Sequence, residues 1–197
     1  MACKTLRYDL IRVSEPLAWK FPTCIMIVDS GAIIVPISRE GELDIITHSA
    51  EQTRRLGVKL GTLLQPGDIL CLSGDLGAGK TAFSSGIGAG WGADEPLTSP
   101  TYNLVHVHNR EQDNTLLYHL DCYRLSGVEE VDSIDLDDIL NGRGVVIIEW
   151  AERIASVLPP ERLWVELRVL EATRRNFVLS AVGDRYRKLV DQFSGRA

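Results

Sequence analysis

The chain contains no C-x-x-C pair, no apolar run long enough to cross a bilayer, no basic excess and no G-x-S-x-G elbow. Its four cysteines, Cys3, Cys24, Cys71 and Cys122, lie far apart. That excludes a zinc ribbon and a disulfide framework, and reads as four small hydrophobes in a reducing cytosol. The longest apolar stretch, Cys24 to Ile37, is too short for a membrane span and carries Asp29. Near the N-terminus, Asp9 and Glu15 interrupt Lys4, Arg7, Arg12 and Lys20 before any apolar h-region, so no signal peptide is read there. A cytoplasmic protein without a membrane partner is expected. Lys+Arg of 21 against Asp+Glu of 27 leaves a net charge of −6, which argues against a broad basic face and against DNA as a partner. Lacking the elbow, the chain has no signature of a serine hydrolase. His106 and His108 alternate onto one strand face with no cysteine and no further histidine close in sequence, the pattern of a half-exposed strand rather than a metal site.

What is present is an ordinary core-forming composition. With 197 residues, 45% of them hydrophobic and 24% charged, one full-sized domain is expected. Residues 1–44 read as an N-terminal extension of unknown role, with a possible short hairpin around Asp29-Ser30-Gly31, and Met26 is an alternative start. Residues 45–185 read as the working domain, and 186–197 as a C-terminal helix or tail. Ser49 and Gln52 form a capping box ahead of helically spaced Leu56, Leu60, Leu63 and Leu64, with Glu51 one turn before Arg55. Ile69-Leu70-Cys71-Leu72 and Val145-Val146-Ile147-Ile148 are continuously apolar, as strands covered on both faces are. A helix is expected from Gly79 or Lys80 to about Gly90, although Gly86 and Gly88 lower its propensity. Strands follow at 104–107 and 116–120, an acidic amphipathic helix at 128–140, and a hairpin over 163–170 and 176–182. The fold class expected is α/β: a three-layer arrangement of P-loop NTPase type, with a mixed, mostly parallel central sheet and a C-terminal β-hairpin.

The sharpest motif is Gly74-Asp75-Leu76-Gly77-Ala78-Gly79-Lys80-Thr81, a full match to G-x-x-x-x-G-K-[ST]. Glycines at these positions let backbone N–H groups point into a concavity sized for phosphate oxygens. Lys80 supplies a point charge for the β- and γ-phosphates and Thr81 a hydroxyl for Mg2+. The following helix adds its positive N-terminal end. A hydrated metal also needs a carboxylate at the end of a neighbouring buried strand, and two are available, Asp121 and Glu149. Thr81 and Glu149 are expected nearest the metal, with Asp121 binding it directly or through water. Which acid orients the attacking water is left open. Thr98-Ser99-Pro100-Thr101 lies where nucleotide switch segments occur, and equally suits a simple Ser/Thr-Pro turn. The acids Glu129, Glu130, Asp132, Asp135, Asp137 and Asp138 read as a solvated helix face.

Four blocks in order resemble the TsaE family, the small bacterial P-loop ATPases formerly called YjeE. They are Gly74–Thr81, then Ser99-Pro100-Thr101-Tyr102-Asn103-Leu104-Val105, then His119-Leu120-Asp121-Cys122-Tyr123-Arg124-Leu125, then Ile148-Glu149-Trp150. The resemblance runs from about Ile46 to Val182. It implies ATP and Mg2+ as ligands and ATP hydrolysis that is weak alone. It also implies a TsaB–TsaD heterodimer as the protein partner and an indirect role toward tRNA, in forming threonylcarbamoyladenosine in tRNAs that read ANN codons. Carried over by position, Lys80 and Thr81 are the phosphate and Mg2+ groups, and Asp121 and Glu149 the acidic pair. Ser99 and Thr101 belong to a switch-like loop, Trp150 follows the second acid, and Thr53 and Arg175 help frame the nucleotide. Ala82, Ser85 and Cys122 depart from the family's usual residues without touching the phosphate and metal set. Two other readings stand beside this one: a small-molecule kinase, for which no Arg-rich lid is visible, and a nucleotide-dependent binding module without useful hydrolysis.

Overall fold

In the central strands every residue is buried, whereas the flanking strands alternate between buried and half-buried positions, and this difference organises the molecule. The computed structural model describes residues 26–27, 33–35, 42–99, 104–125 and 134–195. Among these, nine strands form one sheet: β1 (Met26–Ile27), β2 (Ile33–Val35), β3 (Glu42–Thr47), β4 (Ile69–Ser73), β5 (Val105–Arg110), β6 (Asp113–Asp121), β7 (Val145–Glu149), β8 (Arg162–Val169) and β9 (Arg175–Val182). Their spatial order is β1-β2-β3-β9-β8-β4-β7-β6-β5. The helices are α1 (Ala50–Gly61), α2 (Lys80–Trp91), α3 (Leu136–Asn141) and α4 (Asp184–Ser194), with a 3₁₀ segment at Ala151–Val157.

The mixed α/β sheet expected is present, but its parallel part is narrow. Only the pairings β8–β4, β4–β7 and β7–β6 are parallel, and the other five are antiparallel. The C-terminal hairpin expected is β8–β9. Alternate residues of the central strands sort into two cores. Leu70, Leu72, Val145 and Ile147 pack with α1, α2 and α4, while Ile69, Cys71, Val146 and Ile148 pack with α3 and the 3₁₀ segment. That sorting is the three-layer arrangement, since a strand side chain points to opposite faces at successive residues. Each fully buried Leu, Ile, Val or Phe of these cores contributes roughly 1.5–3 kcal/mol.

Three boundaries differ from the sequence expectation. Strand β3 begins at Glu42 and pairs along its length with β9, so the sheet crosses position 45. The C-terminal helix expected from 186 is α4, which begins at Asp184 and buries Tyr186, Leu189, Val190 and Phe193 in the main core. The acidic helix expected at 128–140 is described only as α3, because Asp135 adopts a left-handed conformation that ends helical geometry there, and 126–133 lie outside the described residues. The N-terminal hairpin is present as β1 paired with β2, and β2 in turn pairs with β3.

Helices α1 and α2 pack unusually closely. A Cβ on Gly57 would lie 2.3 Å from the Phe83 carbonyl oxygen, and one on Gly86 would lie 2.1 Å from that of Arg54. The glycines that lower helix propensity are therefore what lets the two backbones meet. At the start of α1, Ser49 accepts from the Gln52 N–H at 3.1 Å, and Gln52 reaches back to accept from the His48 N–H at 2.6 Å. The Glu51–Arg55 pair forms at 3.0 Å.

Candidate functional site

The loop Gly74–Gly79 joins the end of β4 to the start of α2. Gly74 has φ 128°, and a Cβ there would lie 2.1 Å from the Leu167 carbonyl oxygen on β8, so a side chain is excluded twice over. Gly79 caps α2 at φ 103°, again in the left-handed region that favours glycine. The loop borders a cavity of about 290 Å3 lined by Lys80, Thr81, Ser99, Asp121, Glu149 and Trp150 together with loop residues.

Strand register brings the acids there. Asp121 ends β6, Glu149 ends β7, and the two are paired neighbours at the carboxyl ends of parallel strands. Glu149 is buried, and its Oε2 accepts a hydrogen bond from the Thr81 hydroxyl at 3.0 Å. Asp121 is half-buried. It accepts from the Ser99 hydroxyl at 2.6 Å and from the Tyr123 N–H at 3.0 Å. Lys80 is buried, and its Nζ donates to the carbonyls of Gly74 at 2.5 Å and Asp75 at 2.9 Å. The same ammonium lies 3.5 Å from the centroid of the Trp150 ring. Trp150 reaches that position from a left-handed backbone, φ 59°, which for a tryptophan costs about 1–2 kcal/mol. Tyr123 packs on Trp150 with ring centroids 4.9 Å apart, and the Arg153 guanidinium lies over both rings.

Burial pushes the Lys80 pKa down, while Glu149, Glu152, Asp121 and Asp75 pull it up. On the cavity wall one lysine meets two carboxylates, Asp121 and Glu149, a net negative lining beside a loop whose motif fits phosphate. A divalent cation resolves that conflict. Among the described residues no group of three His, Cys, Asp or Glu is arranged to hold a metal by itself. The donors that line the cavity include hard oxygens, the hydroxyls of Thr81 and Ser99 and the carboxylates of Asp121 and Glu149. That set suits Mg2+, which keeps several waters and takes one or two carboxylates plus substrate phosphates.

Lys80, Thr81, Asp121, Glu149, Ser99 and Trp150 thus converge on one cavity. Thr101 lies outside the described residues. Thr53 is not on the cavity wall: it is buried behind the loop, its methyl 3.7 Å from where a Gly79 Cβ would sit, its hydroxyl 2.9 Å from that of Thr47. Arg175 approaches from the other side and donates to the Gly77 carbonyl at 3.2 Å. Both support the loop's backbone. Sequence reasoning passed over Thr47 and, more consequentially, His119. This histidine is fully buried, and its Nε2 lies 3.0 Å from Glu149 Oε1. It also stands directly opposite His106 in the β5–β6 pairing, so the pair His106 and His108 does have a histidine near it. The signal available was a polar residue inside Leu116-Leu117-Tyr118-His119-Leu120, two positions before Asp121 and hence on the same face.

No helix among the described residues is long and apolar enough to cross a membrane. The family model of "Threonylcarbamoyl adenosine biosynthesis protein TsaE" matches residues 47–177. A protein of Bacillus subtilis named tRNA threonylcarbamoyladenosine biosynthesis protein TsaE is 37% identical over 149 residues, covering 75% of this chain and 91% of the relative. Its namesake in Treponema pallidum is 39% identical over 135 residues, covering 68% of this chain and 98% of the relative. The crystal structure of YdiB from Bacillus subtilis superposes with a TM-score of 0.65 at 33% identity, covering 79% of this chain and 95% of that one. The chain that closes a Walker loop between α1 and the ends of β6 and β7 therefore belongs to the TsaE family.

Proposed function

We propose that this protein binds ATP with Mg2+ and hydrolyses it as the ATPase component of tRNA threonylcarbamoyladenosine formation, acting in the cytoplasm on a TsaB–TsaD complex. The observation that carries the reading is the meeting of Thr81, Glu149 and Asp121 beside the Gly74–Lys80 loop. The names of the relatives carry the pathway.

Loop amides and the N-terminal end of α2 bind the phosphates, and Lys80 supplies the nearest positive charge. Thr81 and Glu149 would hold the metal, with Asp121 reaching it directly or through water. Bound there, Mg2+ supplies neutralisation of charge on the β- and γ-phosphate oxygens. Glu149 or Asp121 orients the attacking water. Phosphoryl transfer needs little covalent participation from the protein, so positioning and electrostatics carry the catalysis. Ser99 is tied to Asp121 at the metal end of the site. Thr53 and Arg175 hold the loop in shape from behind and from outside.

The test is reconstitution with TsaB, TsaD, TsaC and tRNA over many modification cycles. Wild-type protein should sustain turnover and Lys80→Ala should not. Equal modification by both proteins would sink the reading.

A further inference from the structure

We propose that His119 is a positioning residue that fixes which oxygen of Glu149 faces the metal and the phosphates. The inference rests on the Mg·ATP reading above and extends it to a side chain that does not line the cavity.

A carboxylate oxygen only accepts, so the 3.0 Å contact to Glu149 Oε1 requires the proton on His119 Nε2. The other oxygen, Oε2, accepts from Thr81 at 3.0 Å. One donor on each oxygen sets the plane of the carboxylate. Oε1 is turned back toward β6, and Oε2 is left beside Thr81 at the cavity. The ring's other nitrogen, Nδ1, is buried without a hydrogen-bond partner among the described residues. The bond to Glu149 is therefore the polar interaction that offsets burying the imidazole. Packing alone does not call for a histidine here, since two of its same-face neighbours, Leu117 and Ile147, are apolar and fully buried, while a third, His106, stands across on β5. A histidine that donates its N–H to a metal-side carboxylate fixes the orientation of that ligand, and loss of such a partner lowers metal affinity or activity about 10–100-fold.

The test is calorimetric titration of the full-length protein with ATP, in Mg2+ and in excess chelator, together with thermal melting. The quantity read is the gain in ATP affinity that Mg2+ provides. In His119→Gln the side-chain amide nitrogen reaches the position of Nε2, and in His119→Asn it falls short. His119→Asn should lose about 10–100-fold of the gain, with metal-free affinity within about threefold of wild type. His119→Gln should keep the gain within about threefold. A full gain in His119→Asn overturns the proposal, and so does a His119→Gln variant that melts like wild type yet has lost the gain. Should His119→Asn fail to fold, His119→Gln decides by the same criterion. A wild-type protein with no Mg2+-dependent gain at all overturns the Mg·ATP reading, and this proposal with it. A normal wild-type gain that neither variant alters overturns this proposal alone.

Discussion

Two buried carboxylates stand at opposite ends of the central strands, and they are held in opposite ways. Asp68, just before β4, receives Arg185 on both oxygens, at 2.9 and 2.6 Å, and the Gln65 N–H at 2.8 Å. Glu149, at the end of β7, receives the Thr81 hydroxyl and the His119 ring, neither of them a permanent cation. Asp68 is thus a completed bond that pins α4 to the loop before β4. Glu149 has no guanidinium or ammonium among these partners, and on the proposed reading its charge is met by the metal. The cavity beside Asp68 is the larger, about 450 Å3 against about 290 Å3 beside Glu149. On the proposed reading the smaller cavity is the working one, so cavity size alone does not mark it.

The comparison breaks most visibly under charge removal at constant size. Glu149→Gln should lower ATP turnover with the partner proteins about 10²–10³-fold, as removal of one preorganised electrostatic group does. Its stability should stay within about 1 kcal/mol of wild type, because a site kept charged for function gains little by folding. Single-turnover hydrolysis and urea denaturation read the two quantities. Asp68→Asn should do the reverse. It leaves Arg185 without its fork, and should cost about 2–3 kcal/mol of stability while nucleotide affinity stays within twofold. The expected cost is below that of a fully buried pair because Arg185 is 27% exposed. If both substitutions moved the same quantity, the two ends would not differ in kind.

Between these extremes lies a position that serves both stability and the site. Gly86→Ala forces α2 away from the Arg54 carbonyl, and overpacking of this kind costs about 1–2 kcal/mol. Since α1 also carries Thr53 against the back of Gly79, separating the helices should weaken nucleotide affinity as well. Denaturation and ATP titration of the same variant would show both shifts together.

How legible each feature was follows from how local its cause is. The Walker loop, the buried strands β4 and β7, the hairpin β8–β9 and the capping box at Ser49 all depend on residues near one another in the chain, and were readable. The placement of Asp121 and Glu149 side by side was readable too, because each ends an apolar strand and such ends gather on one edge of an α/β sheet. The fork between Asp68 and Arg185 joins residues 117 positions apart, and no local pattern announces it. His119 was hidden for a similar reason: its meaning depends on β6 lying beside β7 in one register. Gly86 was read as a weakness of α2, because propensity is local and the contact with α1 that explains the glycine is not. Thr53 and Arg175 were assigned by resemblance to the nucleotide, while their contacts here are with Thr47 and with the Gly77 carbonyl.

The smallest effect expected belongs to Tyr186, at the Asp68 end, and it reads burial without touching the site. Its hydroxyl accepts the Ile69 N–H at 2.8 Å, and burial pushes its pKa up from 10.0 to about 12. The unfolded chain therefore releases this proton nearer pH 10, while the folded protein holds it until about 12. The stability linked to Tyr186 is complete below pH 10 and is lost as pH rises toward 12. Cys71 and Cys122, also pushed up to about 12 by burial, slope the same way, and Lys80, pushed down, slopes the other way. All three are present in Tyr186→Phe, so the difference between the two denaturation profiles isolates the tyrosine. At pH 7 the variant should lose about 1 kcal/mol, for the acceptor taken from the Ile69 N–H. Above pH 10 the gap should close, because wild type alone then loses the proton-linked part. A gap that stayed constant from pH 7 to 12 would mean that this hydroxyl is as open to water as in the unfolded chain, and that the Asp68 end is not the closed structural counterpart of the Glu149 end.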